Sequence, residues 1–131
     1  QVVFGGFGST AQHSYFQLLH QGTASACADI FTVNDYEQSN KLLFAQSQAQ
    51  SNLLANGADA DLRDFEKVNG NIPTNLFILK SLNPRNLGYL IATWEHRTFI
   101  TSQMLEINPF DQYGVSAGKI FTKKYLEENG G

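Results

Sequence analysis

Residues 102–119 of this chain read SQMLEINPFDQYGVSAGK, and they gather an acid, an amide and a lysine within one short span. Asp111 and Gln112 are polar groups suited to a loop, and Gly114 permits a tight backbone bend. A helix is expected from Val115 onward, with Lys119 one turn further along. A loop running into a helix offers an amide, free backbone N–H groups and a cation to one anionic ligand. A lysine close to a helix start opposes the helix dipole unless an anion compensates it; a solvated lysine is the alternative. Lys123 and Lys124 fall in the middle of an exposed helix face and require no function.

Histidine is the other side chain with chemistry near neutral pH. His13 lies in the first turn of an expected helix, just after a glycine turn, where an imidazole could act as general acid or base. A structural or solvated histidine is the alternative. His20 sits seven residues later, two turns away near the same face, and is read as structural. His96, beside Glu95 and Arg97 in a long apolar helix, suggests a buried hydrogen-bonded cluster or a subunit contact. The glycine turn itself, GGFGST, falls short of a dinucleotide fingerprint because Ala11 stands at the last glycine position, and only Asp35 could hold a ribose. It reads as a tight turn. The single cysteine, Cys27, can form no disulfide within the chain and reads as a small buried apolar group beside a strand. No metal site is visible.

Hydrophobic periodicity supplies the frame that must hold these groups. Residues 2–5 read as a short buried strand closed by glycines, followed by a helix over 11–20 that Ser9 or Thr10 could cap and Gly22 ends. Residues 29–33 form a second strand. Residues 36–55 return to helical spacing through Leu42, Leu43, Ala45, Ala49, Leu53 and Leu54, with Asn56-Gly57 as the stop. Residues 58–70 are polar loop with a short structured piece near 62–67, and 75–80 (NLFILK) form the clearest strand. A helix over 84–105 opens on Pro84, and its apolar positions cover more than one face, so it is expected to be heavily buried. A last amphipathic helix spans 115–128. This alternation predicts an α/β fold: a three-layer α-β-α domain with a mostly parallel sheet, in which ligands bind at the carboxyl ends of the strands.

The totals bound the function. At 131 residues the chain is long enough for a single domain over 1–131. A net charge of −3 leaves no basic patch for nucleic acid, and no apolar run is long enough to span a membrane. A cytoplasmic setting follows. Gln1 is not an initiator methionine, and the chain opens straight into a strand-like run, so a fragment, or a chain cut by processing, is expected.

Three ordered motifs resemble the phosphoglucose isomerase family. Residues 8–23 (GSTAQHSYFQLLHQGT) are similar to its G-T-N-G-Q-H-x-F-Y-Q-L-x-H-Q-G-T segment. Residues 67–99 are similar to its G-N-R-P strand and L-G-x-L-I-A-x-Y-E-H-K helix, and residues 102–119 resemble its C-terminal signature. The resemblance implies a C-terminal sugar-isomerase (SIS)-like domain, as part of a larger two-domain enzyme, and interconversion of glucose 6-phosphate and fructose 6-phosphate, in glycolysis and gluconeogenesis, without a cofactor. It implies that His13 helps open the sugar ring from the neighbouring subunit of a homodimer, that Gln112 contacts the substrate phosphate, and that Lys119 sits near the ring oxygen. The family's proton-shuttling glutamate belongs to an upstream segment, so the isolated chain is expected to be inactive. The chain departs from the family at Gly6-Phe7, Ile72 and Ser116, and residues 32–40 are shortened. Two other readings compete: a non-catalytic sugar-phosphate-binding module, and a nucleotide-binding regulatory domain resting only on the glycine turn.

Overall fold

Two runs rich in β-branched and aromatic residues pair side by side, as their composition favours. In the computed structural model, which describes Val3 and residues 5–35, 41–58 and 61–130, β1 (Ala28–Val33) and β2 (Thr74–Leu79) form a parallel pair. The register runs from Ala28 opposite Thr74 to Val33 opposite Leu79. Phe31 and Phe77 are cross-strand partners, their rings stacked with centroids 5.1 Å apart. Asn75 Nδ2 donates to Asp29 Oδ1 at 2.8 Å across the same pair. Parallel strands need a long crossover, and here it carries α3 (Lys41–Asn56), which packs on both strands. The fold is therefore α/β with a small parallel sheet.

The face that α3 buries is only partly the one its apolar residues mark. Leu54 is fully buried at 0% exposure and Leu43 and Leu53 are half-buried, but Leu42 is 61% exposed and Ala45 and Ala49 are also exposed. The half-buried row is Leu43, Ser47, Gln50 and Ser51, at helical spacing with Leu54. Ser47 tolerates this because its hydroxyl donates to Phe44 O at 2.6 Å within its own turn. Asn56-Gly57 ends the helix as expected, Gly57 taking φ +72°. Beyond it, Ala58 and Val68 form an antiparallel bridge with both N–H···O contacts at 2.9 Å. Between them a single three-ten turn, Asp64–Glu66, is braced by an Arg63–Glu66 ion pair.

The expected helix over 11–20 is two short ones, α1 (Gly8–Gln12) and α2 (Phe16–Gln21). His13, Ser14 and Tyr15 are weak helix formers, and Tyr15 leaves helical geometry at φ −130°, ψ −1° while its ring stacks on Phe16. The N-cap of α1 is Phe7 rather than Ser9 or Thr10, which lie inside the helix. The strand expected over residues 2–5 falls mainly outside the described residues, as do residues 36–40 of the expected second helix; Val3 is exposed. Cys27 lies beside the strand as expected, just before Ala28, but is exposed instead of buried.

The chain folds as two compact units, Gln1–Leu87 and Gly88–Gly131. The second holds most of α4 (Pro84–Met104) and all of α5 (Tyr113–Glu128). Pro84 opens α4 as expected, but the helix is not heavily buried: Ser102 is its one buried residue, and Ile91, Phe99 and Ile100 are exposed. Apolar side chains on several faces of a helix declare a need for cover, and these residues do not cover one another. His96 is exposed for the same reason, not part of a buried cluster. Among the described residues no helix is long and apolar enough to cross a membrane.

Candidate functional site

The loop between α4 and α5 is built by backbone hydrogen bonds and one asparagine. Leu105 N donates to Thr101 O at 3.0 Å, Glu106 takes φ +55°, and Ile107 N returns to Ser102 O at 2.9 Å, closing the helix end. Ser102, only 3% exposed, satisfies its hydroxyl by donating to Phe99 O at 2.6 Å. Asn108 then organises the turn: its Oδ1 accepts from Phe110 N at 3.0 Å and its Nδ2 donates to Asp111 Oδ2 at 2.8 Å. The Asp111 carboxylate is thereby tied into the loop. Asn108 has a sequence signal, since Asn-Pro initiates turns, whereas the left-handed Glu106 has none.

Gln112 is the N-cap of α5, which begins at Tyr113, two residues earlier than expected. Gly114 therefore lies within the helix instead of at a bend. Ser116 N donates to Gln112 O at 3.0 Å, but the Gln112 side chain makes no capping hydrogen bond. Its carboxamide, beside the unpaired N–H groups of the first turn, is left available. Lys119 follows seven residues later, which on an α-helix is the same face about 10 Å along the axis, with Ser116 between. It lies two turns into the helix rather than one, where the dipole opposes a cation much less. No hydrogen bond or ion pair engages its ammonium among the described residues, whereas Lys123 and Lys124 pair with Glu127 and Glu128 at 3.8 and 3.7 Å.

His13 belongs to the other unit, at the C-cap of α1 and not in a first turn. It is exposed, and its backbone N–H donates to Thr10 O at 3.2 Å. His20 has the structural role expected of it, its Nε2 pairing with Gln50 Oε1 of α3 at 2.9 Å. Thus the structure sets Gln112 and Lys119 on one helix face, and His13 in the separate unit. Among the described residues no group of three His, Cys, Asp or Glu side chains is placed to hold a metal ion.

A sequence model of phosphoglucose isomerase matches residues 1–130. The chain belongs to the phosphoglucose isomerase family. A glucose-6-phosphate isomerase from Acinetobacter venetianus is 37% identical over an alignment covering 95% of this chain and 26% of the relative. One from Wigglesworthia glossinidia brevipalpis is 36% identical, covering 94% and 26% respectively. The crystal structure of a glucose-6-phosphate isomerase from Chlamydia trachomatis matches 96% of this chain and 26% of its own, with a TM-score of 0.84 at 32% identity. The chain thus spans about a quarter of the length of these phosphoglucose isomerase relatives, and the small parallel sheet with its helices is part of the family's fold.

Proposed function

We propose that this chain supplies the C-terminal part of the active site of an aldose–ketose isomerase acting on glucose 6-phosphate and fructose 6-phosphate. The observation that carries the reading is the α5 face, where an unengaged carboxamide at the helix N-cap and an unpaired lysine lie two turns apart. Their backbone positions lie about 10 Å apart along the axis, which suits a ligand with a phosphate at one end and a sugar ring at the other. Gln112 and the first-turn N–H groups hold the phosphate. Lys119 reaches the ring oxygen. His13, contributed across a homodimer, is the remaining partner in ring opening, in which the ring oxygen gains a proton as the anomeric hydroxyl loses one. Isomerisation then moves a proton from C2 to C1, or the reverse, through an enediol, with the hydroxyl proton passing between O1 and O2.

That second step needs a carboxylate, which the family carries in a segment with no counterpart among these 131 residues. The isolated chain accordingly shows weak or no turnover, and is complemented when the upstream half of the enzyme is supplied. The reaction requires no cofactor. On this reading both units belong to one C-terminal, three-layer sugar-isomerase-type domain of a cytoplasmic dimer.

The test is a coupled assay of fructose 6-phosphate conversion on the full gene product. Gln112→Ala should raise KM roughly tenfold or more, as loss of a hydrogen bond to a charged group would. Lys119→Ala should lower kcat roughly a hundredfold, within the range of acid–base contributions. Unaltered kinetics in both variants would refute the assignment. Sugar-phosphate binding by the full gene product without turnover would favour a non-catalytic module instead.

A further inference from the structure

Gln21, the last residue of α2, uses its whole side chain in hydrogen bonds. Its Nε2 donates to the backbone carbonyls of Phe65 at 3.1 Å and Lys67 at 2.8 Å, and its Oε1 accepts from Gln17 Nε2 at 2.6 Å. We propose that Gln21 is a positioning residue for His13, an inference that rests on His13 being the ring-opening group.

Six residues make too short a helix to hold its own shape, and no residue of α2 is buried. Side-chain tethers therefore add to the half-buried Phe16, Leu19 and His20 in setting where α2 lies. Two hydrogen-bonded tethers reach from α2 to other elements: the His20–Gln50 contact to α3, and the Gln21 contacts to the 63–67 turn. The second anchor is itself preorganised, since Arg63 pairs with Glu66 and Lys67 Nζ pairs with Asp64 Oδ1 at 2.7 Å.

His13 lies in the break between α1 and α2. On the α1 side the chain is held by Ala11, 3% exposed, whose carbonyl accepts the N–H groups of Ser14 and Tyr15 at 3.0 Å each. On the α2 side it is held by the tethers. The His13 imidazole makes no hydrogen bond of its own among the described residues, so its direction is inherited from the backbone on either side. Release of Gln21 leaves one of those sides loose. Because Gln21 is exposed and its partners across the chain are backbone carbonyls, replacing it opens no cavity.

The experiment is a double-mutant cycle on the full gene product, read by steady-state isomerase kinetics. Gln21→Met keeps the length and removes the hydrogen bonds. Gln21→Glu keeps the shape and sets a carboxylate against two carbonyl oxygens. Each should lower kcat roughly tenfold with KM little changed, as a small misplacement of a catalytic group does. In a His13→Ala background neither should lower the residual rate further. Equal losses in both backgrounds would mean that Gln21 acts on structure in general, and the proposal fails. Unchanged kcat in both Gln21 variants also overturns it. If His13→Ala itself is fully active, the reading of His13 falls first and the proposal falls with it.

Discussion

One methyl group at Gly57 should undo the turn that returns the chain from α3 to β2. Gly57 takes φ +72° and Gly70 φ +68°, and a Cβ on Gly57 would lie 2.3 Å from Val68 O, 2.8 Å from Asn69 C and 2.9 Å from Asn69 O. All three are backbone atoms, so no rotamer change relieves the overlap. The left-handed conformation alone costs alanine about 1–2 kcal/mol. Moving the strands apart breaks the two Ala58–Val68 hydrogen bonds, at about 1 kcal/mol each. The sum is about 3–4 kcal/mol, which for a unit of this size lowers Tm by roughly 12 °C or more. Gly118→Ala is the matched control: it lies inside α5, where an added methyl would meet open space, and alanine there should stabilise the helix by about 0.5–1 kcal/mol. Thermal unfolding followed by circular dichroism compares the two. A Gly57→Ala protein melting within about 4 °C of the parent, a loss under about 1 kcal/mol, would refute the geometry. Gly70→Ala should match Gly57→Ala, since its Cβ would lie 2.3 Å from Gly57 N, and the double variant should cost less than the sum.

The remaining predictions concern the core and the surface. Leu54→Ala removes the one large, fully buried side chain among the described residues and should lower stability by about 2–5 kcal/mol in denaturant unfolding, while Leu42→Ala on the exposed face should change it little. Hydrogen bonds from the Arg63 side chain and backbone hold the Glu66 carboxyl below the usual carboxylate range, against a weak opposing effect of burial. Because its folded value is depressed, the pairing contributes above the ordinary carboxylate pKa and is lost as pH falls through the folded value. An NMR titration of the Glu66 carboxyl should show that depressed midpoint, and Arg63→Ala, which removes the side-chain hydrogen bond but keeps the backbone one, should raise it toward the ordinary range.

What could be read from the sequence follows from how strongly each segment's own chemistry constrains it. Both described strands, the end of α3 and the whole of α4 lie within a residue or so of where periodicity and end signals place them, because NLFILK, Pro84 and Asn56-Gly57 each act locally. The helix over 11–20 fails locally too: three weak formers in a row outweigh an apolar stripe of only a few residues, and the break lands on His13. The inward face of α3 was hidden for another reason. Ser47, Gln50 and Ser51 are polar letters, and only the structure reveals that they face inward, with Ser47 satisfied within its own turn and Gln50 by His20.

The same distinction governs the site. Residue types and order pointed to Gln112 and Lys119, but their meaning depends on where α5 begins. Starting the helix at Tyr113 turns Gln112 from a loop residue into an N-cap and moves Lys119 from one turn into the helix to about two. That shift weakens the argument that the helix dipole makes Lys119 demand an anion, and replaces it with a geometric one: two unengaged polar side chains on one face, their backbone positions about 10 Å apart along the axis. The exposed apolar positions of α4 teach the complementary point. Periodicity reports which faces are apolar, and burial is a property of whatever lies against them, so Ile91, Phe99 and Ile100 can carry every sign of a core and still stand in solvent within these 131 residues.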